Sequence, residues 1–139
     1  IGTSAFFSEW NNITNRINVS VDGSWGRLTG ATVHELFHAI LDRSGKRSEL
    51  AEIPFMNNIG WQLQATNRCF LWVFCKTTTQ YINPGDGPTP YSRGDYGNGK
   101  PDEDAAETFM IMSGVGIPDR PITEERRKWF YWVILELAK

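Results

Sequence analysis

Histidine and cysteine are both scarce in this chain, two of each in 139 residues. Two cysteines are too few for a disulfide scaffold or a cysteine-based zinc knuckle. Charge of one sign is lacking as well: 14 Lys+Arg stand against 16 Asp+Glu, a formal net charge of −2. No basic run supplies the electrostatic footprint that nucleic acid demands. The longest apolar stretches fall well short of a bilayer span, so neither nucleic acid nor a membrane is the expected partner. There is no internal repeat and no low-complexity tract. The chain starts at Ile1 with no charged n-region, apolar h-region or transit-like segment, and so reads as a mature or excised form. Asn12-Ile13-Thr14 and Asn18-Val19-Ser20 are formal N-glycosylation acceptors, which tilts the expected setting toward the extracellular.

What is present fits one domain spanning 1–139. Six Trp within 13% aromatics supply a hydrophobic core, while 13 Gly and 7 Pro demand turns and loops. Arg16 to Val21 alternates like a half-buried strand. The segment LTGATVHELFHAILDRSG carries helical spacing at Val33, Leu36, Phe37, Ile40 and Leu41, with Thr29 as N-cap and Gly45 just past the end. A second helix is expected over Glu49 to Gln64, interrupted or started near Pro54. Asn83 to Pro101 is packed with Gly and Pro and reads as a functional loop. Pro101 at the first helical position, Asp102, Glu103 and Asp104 in the positive first turn and Gly114 after Met112 frame a third helix. Thr123 starts a C-terminal helix rich in Trp129, Phe130, Trp132, Val133 and Leu137. Cys69 to Phe74 reads as a buried strand or a continued helix. In a strand the two cysteine Cα atoms would lie roughly 20 Å apart, and only a segment that loops back would let them bond.

The two histidines fall within one motif, His34-Glu35-Leu36-Phe37-His38, inside the best-marked helix of the chain. Residues i and i+4 lie one above the other on a helix face, so two imidazoles there can converge on one ion at roughly 2.0–2.1 Å each. Glu35 is turned about 100° away from His34, out of the ligand set but beside the ion's open position, where a general base belongs. With two histidines only, the chance of this arrangement arising at random is on the order of one in a thousand.

A catalytic ion normally takes three protein ligands. The continuation that would provide a third histidine is absent, since Leu41 stands at its Gly position and Ser44 at its last His position. The third ligand must then be a carboxylate. Glu49 and Glu52 are close in sequence, but Glu103 and Glu107, again spaced i, i+4, are better candidates, with Glu103 favoured over Glu107. One of the two would ligate and the other accept a hydrogen bond from a ligand histidine. Ala105 and Ala106 beside them leave room for a close approach to the first helix. Tyr96, in the Gly-rich loop just before this helix, is the phenol placed to donate to a developing oxyanion, and Tyr91 is its nearest competitor.

HELFHAILDRSG together with YGNGKPDEDAAETF resembles the catalytic domain of the anthrax-lethal-factor-like zinc metallopeptidases, a gluzincin group that includes secreted Pro-Pro endopeptidases. There HExxH is followed by a Tyr-Gly, a ligand Glu seven residues after the Tyr, and an Ala-Glu pair whose Glu comes four later. Tyr96-Gly97, Glu103 and Ala106-Glu107, then Phe109, reproduce that spacing. The likeness covers residues 30–45 and 94–110, with weaker support over Asn58 to Trp61, and departs from the pattern at Phe37 and Ala105. It implies Zn2+ bound by His34, His38 and Glu103, Glu35 as base, Glu107 supporting a ligand histidine, and Tyr96 stabilising the oxyanion or protonating the leaving amine. The expected protein is an α+β, zincin-like single domain with a small, mainly antiparallel sheet over the active-site helix and additional helices. Its expected activity is hydrolysis of a peptide or protein substrate. The competing expectations are a catalytically idle zincin-like module that binds protein, and a structural zinc domain.

Overall fold

The computed structural model describes residues 8–11, 13–14, 16–19, 25–70, 74–95 and 100–139. Over these the chain is α+β. Two antiparallel two-stranded sheets accompany four helices in the order β1 (Ser8–Asn11), β2 (Arg16–Val19), α1 (Trp25–Ser44), α2 (Ile53–Ile59), β3 (Gln62–Phe70), β4 (Phe74–Ile82), α3 (Pro101–Met112) and α4 (Glu124–Leu137). The expected single small sheet is thus two separate hairpins. β1 and β2 pair from Ser8↔Val19 to Asn11↔Arg16 and lie along α1. Asn11 holds their connection, its Oδ1 accepting from the amides of Ile13 and Thr14 at 3.1 and 3.0 Å. The glycosylation acceptor Asn12 is outside the described residues, and so is the side chain of Asn18.

Helix α1 begins earlier than the expected cap at Thr29, which lies inside it, and ends where expected: Gly45 takes φ 67° and its amide bonds to the Asp42 carbonyl. Phe37 and Leu41 on its inner face are fully buried, whereas Leu36 faces outward. The expected second helix is much shorter. A π-type turn over Ser48–Glu52 runs into α2, which stops at Gly60 (φ 91°), and the chain switches to strand at Gln62. Among the described side chains of α2, Phe55 and Ile59 reach the core.

Strands β3 and β4 correct the reading of Cys69 to Phe74. Its described residues, Cys69, Phe70 and Phe74, belong to two antiparallel strands in which Cys69 and Cys75 are direct cross-strand partners and form a disulfide, and residues 71–73 lie outside the described ones. The alternation over Gln62–Phe70 is mostly polar, too weak a signal to separate strand from helix.

The core joins α1, α2, α3 and α4. Phe37 stacks on Phe109 with ring centroids 4.5 Å apart, and Trp129 packs edge-on to both Phe37 and Phe55. Among the helices, α1 and α3 meet most extensively. Ala105 and Ala106 are fully buried. At Gly30 an added Cβ would lie 3.1 Å from Met110 Sδ.

Behind this contact sits a charge that the apolar pattern hid. Asp104, expected as a dipole-facing residue of the first turn, is fully buried in a two-pronged pair with Arg126 of α4 at 2.6 and 2.9 Å. Trp61 Nε1 donates to the same carboxylate at 2.9 Å, and Arg126 also donates to Thr108 and Asp86. Burial opposes the Arg126 charge, but Asp104 and Asp86 outweigh it and hold the guanidinium protonated. Asp104→Ala leaves that cation without its buried partner and should destabilise the fold by about 3–5 kcal/mol in urea unfolding. A loss within ~0.5 kcal/mol would show that the pair is not a buried one.

Candidate metal centre

Helix α1 presents His34 and His38 one turn apart on its inner face, each only 5% exposed. The first two turns of α3 present Glu103 and Glu107 against them. Pro101 opens α3 and the close α1–α3 approach brings these carboxylates within reach. His34 Nε2 lies 3.1 Å from Glu103 Oε2 and 3.3 Å from His38 Nε2, and His38 Nε2 lies 3.7 Å from Glu103 Oε2. The three atoms form a triangle. An ion holding tetrahedral ligands at about 2.0–2.1 Å separates each pair by roughly 3.3–3.4 Å, and the edges of the triangle lie within about 0.4 Å of that.

The donor chemistry agrees. The carboxylate of Glu107 can only accept, so His34 Nδ1 donates to its Oε1, at 2.9 Å. In the neutral ring that leaves a lone pair on Nε2, directed at His38 Nε2 and a carboxylate oxygen. His38 Nδ1 is buried and has no hydrogen-bond partner among the described residues. Three electron-rich atoms this close are stable only around a proton or a cation. Among the described residues, His34, His38 and Glu103 are the group that can hold a metal ion, and they fit one.

Glu107 is fixed in turn by the irregular stretch 83–95, the described part of the expected loop. Thr89 Oγ1 donates to Glu107 Oε2 at 2.6 Å, and Thr89 and Ser92 bond reciprocally through their hydroxyls and amides. Gly87 lies so near that a Cβ there would run into the Ser92 side chain. Arg93 clamps the stretch to Asp119 through two 2.8 Å bonds. Thr89 was not among the expected site residues. The Thr-x-x-Ser spacing over Thr89-Pro90-Tyr91-Ser92 signals a side-chain-bonded turn but does not say that the turn faces the site.

Glu35 is buried in the same region of α1. Tyr96 lies outside the described residues. Tyr91 is the phenol that the described residues bring to the site, its ring edge-on to His34 with centroids 5.6 Å apart. Glu49 is exposed and outside the cluster, and the Glu52 side chain is outside the described residues.

Burial alone pushes the His34 imidazolium to lower pKa, but hydrogen bonds and charge from Glu103 and Glu107 outweigh it and lift the ring to about 9. For Glu103, burial works upward, and the two histidines overcome it, holding the carboxyl well below the usual carboxylate range. A family-model scan, a search of curated proteins and a search of solved structures each return no match to this chain.

Two outcomes follow for the metal-free and metal-loaded protein. A raised histidine pKa contributes stability that is complete below the ordinary value of 6.5 and disappears as pH rises through about 9; a lowered carboxylate contributes stability that is lost as pH falls below 4.5. The melting temperature of the metal-free protein should therefore peak between these ordinary values and fall on the alkaline side up to pH 9, as scanning calorimetry would record. In titrations with a divalent metal, Glu103→Ala should lose most affinity, and Glu107→Ala should lose about 10–100-fold, the cost of freeing a ligand histidine. Loss of the metal in Glu107→Ala alone would reverse the assignment.

Proposed function

We propose that this chain is a zinc-dependent peptidase with a zincin-like fold, acting on a peptide or protein substrate. The observation that carries the reading is the convergence of His34, His38 and Glu103, and it is supported by a buried carboxylate, Glu35, one residue after His34 on α1. Neither a structural metal site nor an idle binding module has use for a carboxylate at that point. Zinc, held by His34, His38 and Glu103, would supply Lewis-acid polarisation of the scissile carbonyl and a lowered pKa for the attacking water.

The chain's own groups do the remainder. Glu35 takes a proton from the attacking water and returns it to the leaving nitrogen. Its position about 100° around the helix from His34 keeps it out of the ligand set and within reach of that proton. Glu107 holds the Nδ1 proton of His34, so that Nε2 keeps its lone pair toward the site, and Thr89 holds Glu107 in turn. A phenol donates to the oxyanion: Tyr96 has the spacing for it, and Tyr91 has its ring against His34.

Glu35→Gln should keep stoichiometric zinc and lose cleavage of a mixed peptide library by on the order of 10²–10⁴-fold, the usual contribution of a general base. Zinc with no cleavage by the parent chain would make the site structural. No zinc at all would leave a protein-binding module. Comparing Tyr91→Phe with Tyr96→Phe identifies the oxyanion donor, whose loss lowers kcat with little change in KM.

A further inference from the structure

Helix α4 turns Arg126, Trp129, Phe130 and Val133 into the core and leaves its opposite side to solvent. On that side Trp132 is 37% exposed and Leu135 is 64% exposed, large apolar groups that belong to neither the core nor the metal centre. At about 100° per residue, Glu125, Lys128, Leu135 and Glu136 all fall within about 60° of Trp132 around the helix, on one face. Lys139 follows the helix and joins that face by donating to Glu136 Oε1 at 2.5 Å. Next to Trp132 lies a cleft of about 300 Å³ between α2 and α4, lined by Asn58, Glu125, Lys128, Trp129 and Trp132.

The order of charges on this face is complementary to itself. Lys128 and Glu136 each stand four residues from Trp132, and Glu125 and Lys139 each stand seven, so reversing the helix about Trp132 exchanges every charge for its opposite. A second α4 laid antiparallel, with Trp132 on the two-fold axis, therefore sets Lys128 against Glu136 and Glu125 against Lys139, each contact made twice. The same register sets Leu135 opposite Trp129, which lines the cleft. Competing arrangements are worse. Sliding by three residues brings Glu125 onto Glu136 in one direction and Lys128 onto Lys139 in the other, and a parallel pair in register sets every charge on its own kind.

We infer that this face of α4 is the contact of a symmetric homodimer, antiparallel about Trp132, with Leu135 of each copy seated in the other's cleft. Leucine burial supplies the affinity, and the four charge pairs supply the register and the choice of partner. One helix and one cleft per copy cover less than the roughly 800 Å² a side of a standard interface, so the dimer is weak, with Kd on the order of 10–100 μM. The inference stands apart from the peptidase reading, because it needs neither metal nor Glu35.

The test is sedimentation velocity of the full, oxidised chain from roughly 5 μM to 1 mM, a range that brackets this affinity. The parent should pass from the mass of one chain to that of two, and added salt should shift the transition to higher concentration. Leu135→Ala should weaken the dimer on the order of 100-fold. Lys128→Glu and Glu136→Lys, each alone, set like charges together and should each weaken it by about 10-fold or more. An equimolar mixture of those two variants restores every pair and should dimerise as the parent does, a recovery that misfolded chains could not give. A parent that stays monomeric at all concentrations would overturn the inference. So would a dimer indifferent to Leu135→Ala or to either charge reversal, or a mixture that fails to recover.

Discussion

The imidazole of His34 is clamped between two carboxylates one turn apart on α3, Glu103 against Nε2 and Glu107 against Nδ1. To reach both nitrogens, α3 must lie close to α1, and the approach is tight at Gly30, where an added Cβ would lie 3.1 Å from Met110 Sδ. Larger side chains there would push the helices apart by more than a hydrogen bond tolerates. The same approach stacks Phe37 on Phe109, so the apolar core and the polar site are two sides of one helix contact. About 100° further round α3 from Glu103, Asp104 is tied to Arg126 and Trp61, which fixes the rotation of the helix that carries the site.

The site was unusually readable because its residues obey helical periodicity. His34 and His38 mark one face of α1, Glu103 and Glu107 mark one face of α3, and both helices announce their ends with Gly45, Pro101 and Gly114. Spacing alone therefore brought four side chains to two stripes, and the requirement for a third ligand brought the stripes together. Helix α4 was legible for the same reason, from Thr123 and the apolar run after it.

What escaped was set by long-range partners. Asp104 is indistinguishable from Asp102 by local rules, both being acids in a helix first turn, and the difference is made by Arg126, 22 residues later. Arg126 could have raised suspicion, as a cation one turn before Trp129 and Phe130 on the apolar side of α4. Thr89 supports Glu107 from a Pro- and Gly-rich loop whose course no periodicity describes. The β3–β4 hairpin was missed because its strands bury neither face, and the alternation that marks a strand comes from burial. The Cys69–Cys75 bond, improbable for a regular segment, follows from the antiparallel pairing that sets the two cysteines opposite each other.

Two parts of the molecule therefore differ in kind: a helical body whose packing sets the geometry of three ligand atoms, and the paired strands β3 and β4, whose residues 62–69 and 75–82 are exposed. X-ray absorption at the zinc edge on the purified, zinc-loaded chain tests the body most directly. One zinc per chain with two imidazole nitrogens and carboxylate oxygen at about 2.0–2.2 Å, and with the second imidazole lost in His38→Ala, is the predicted result. Zinc below stoichiometry, or a shell of oxygen alone with no imidazole scattering, would contradict it.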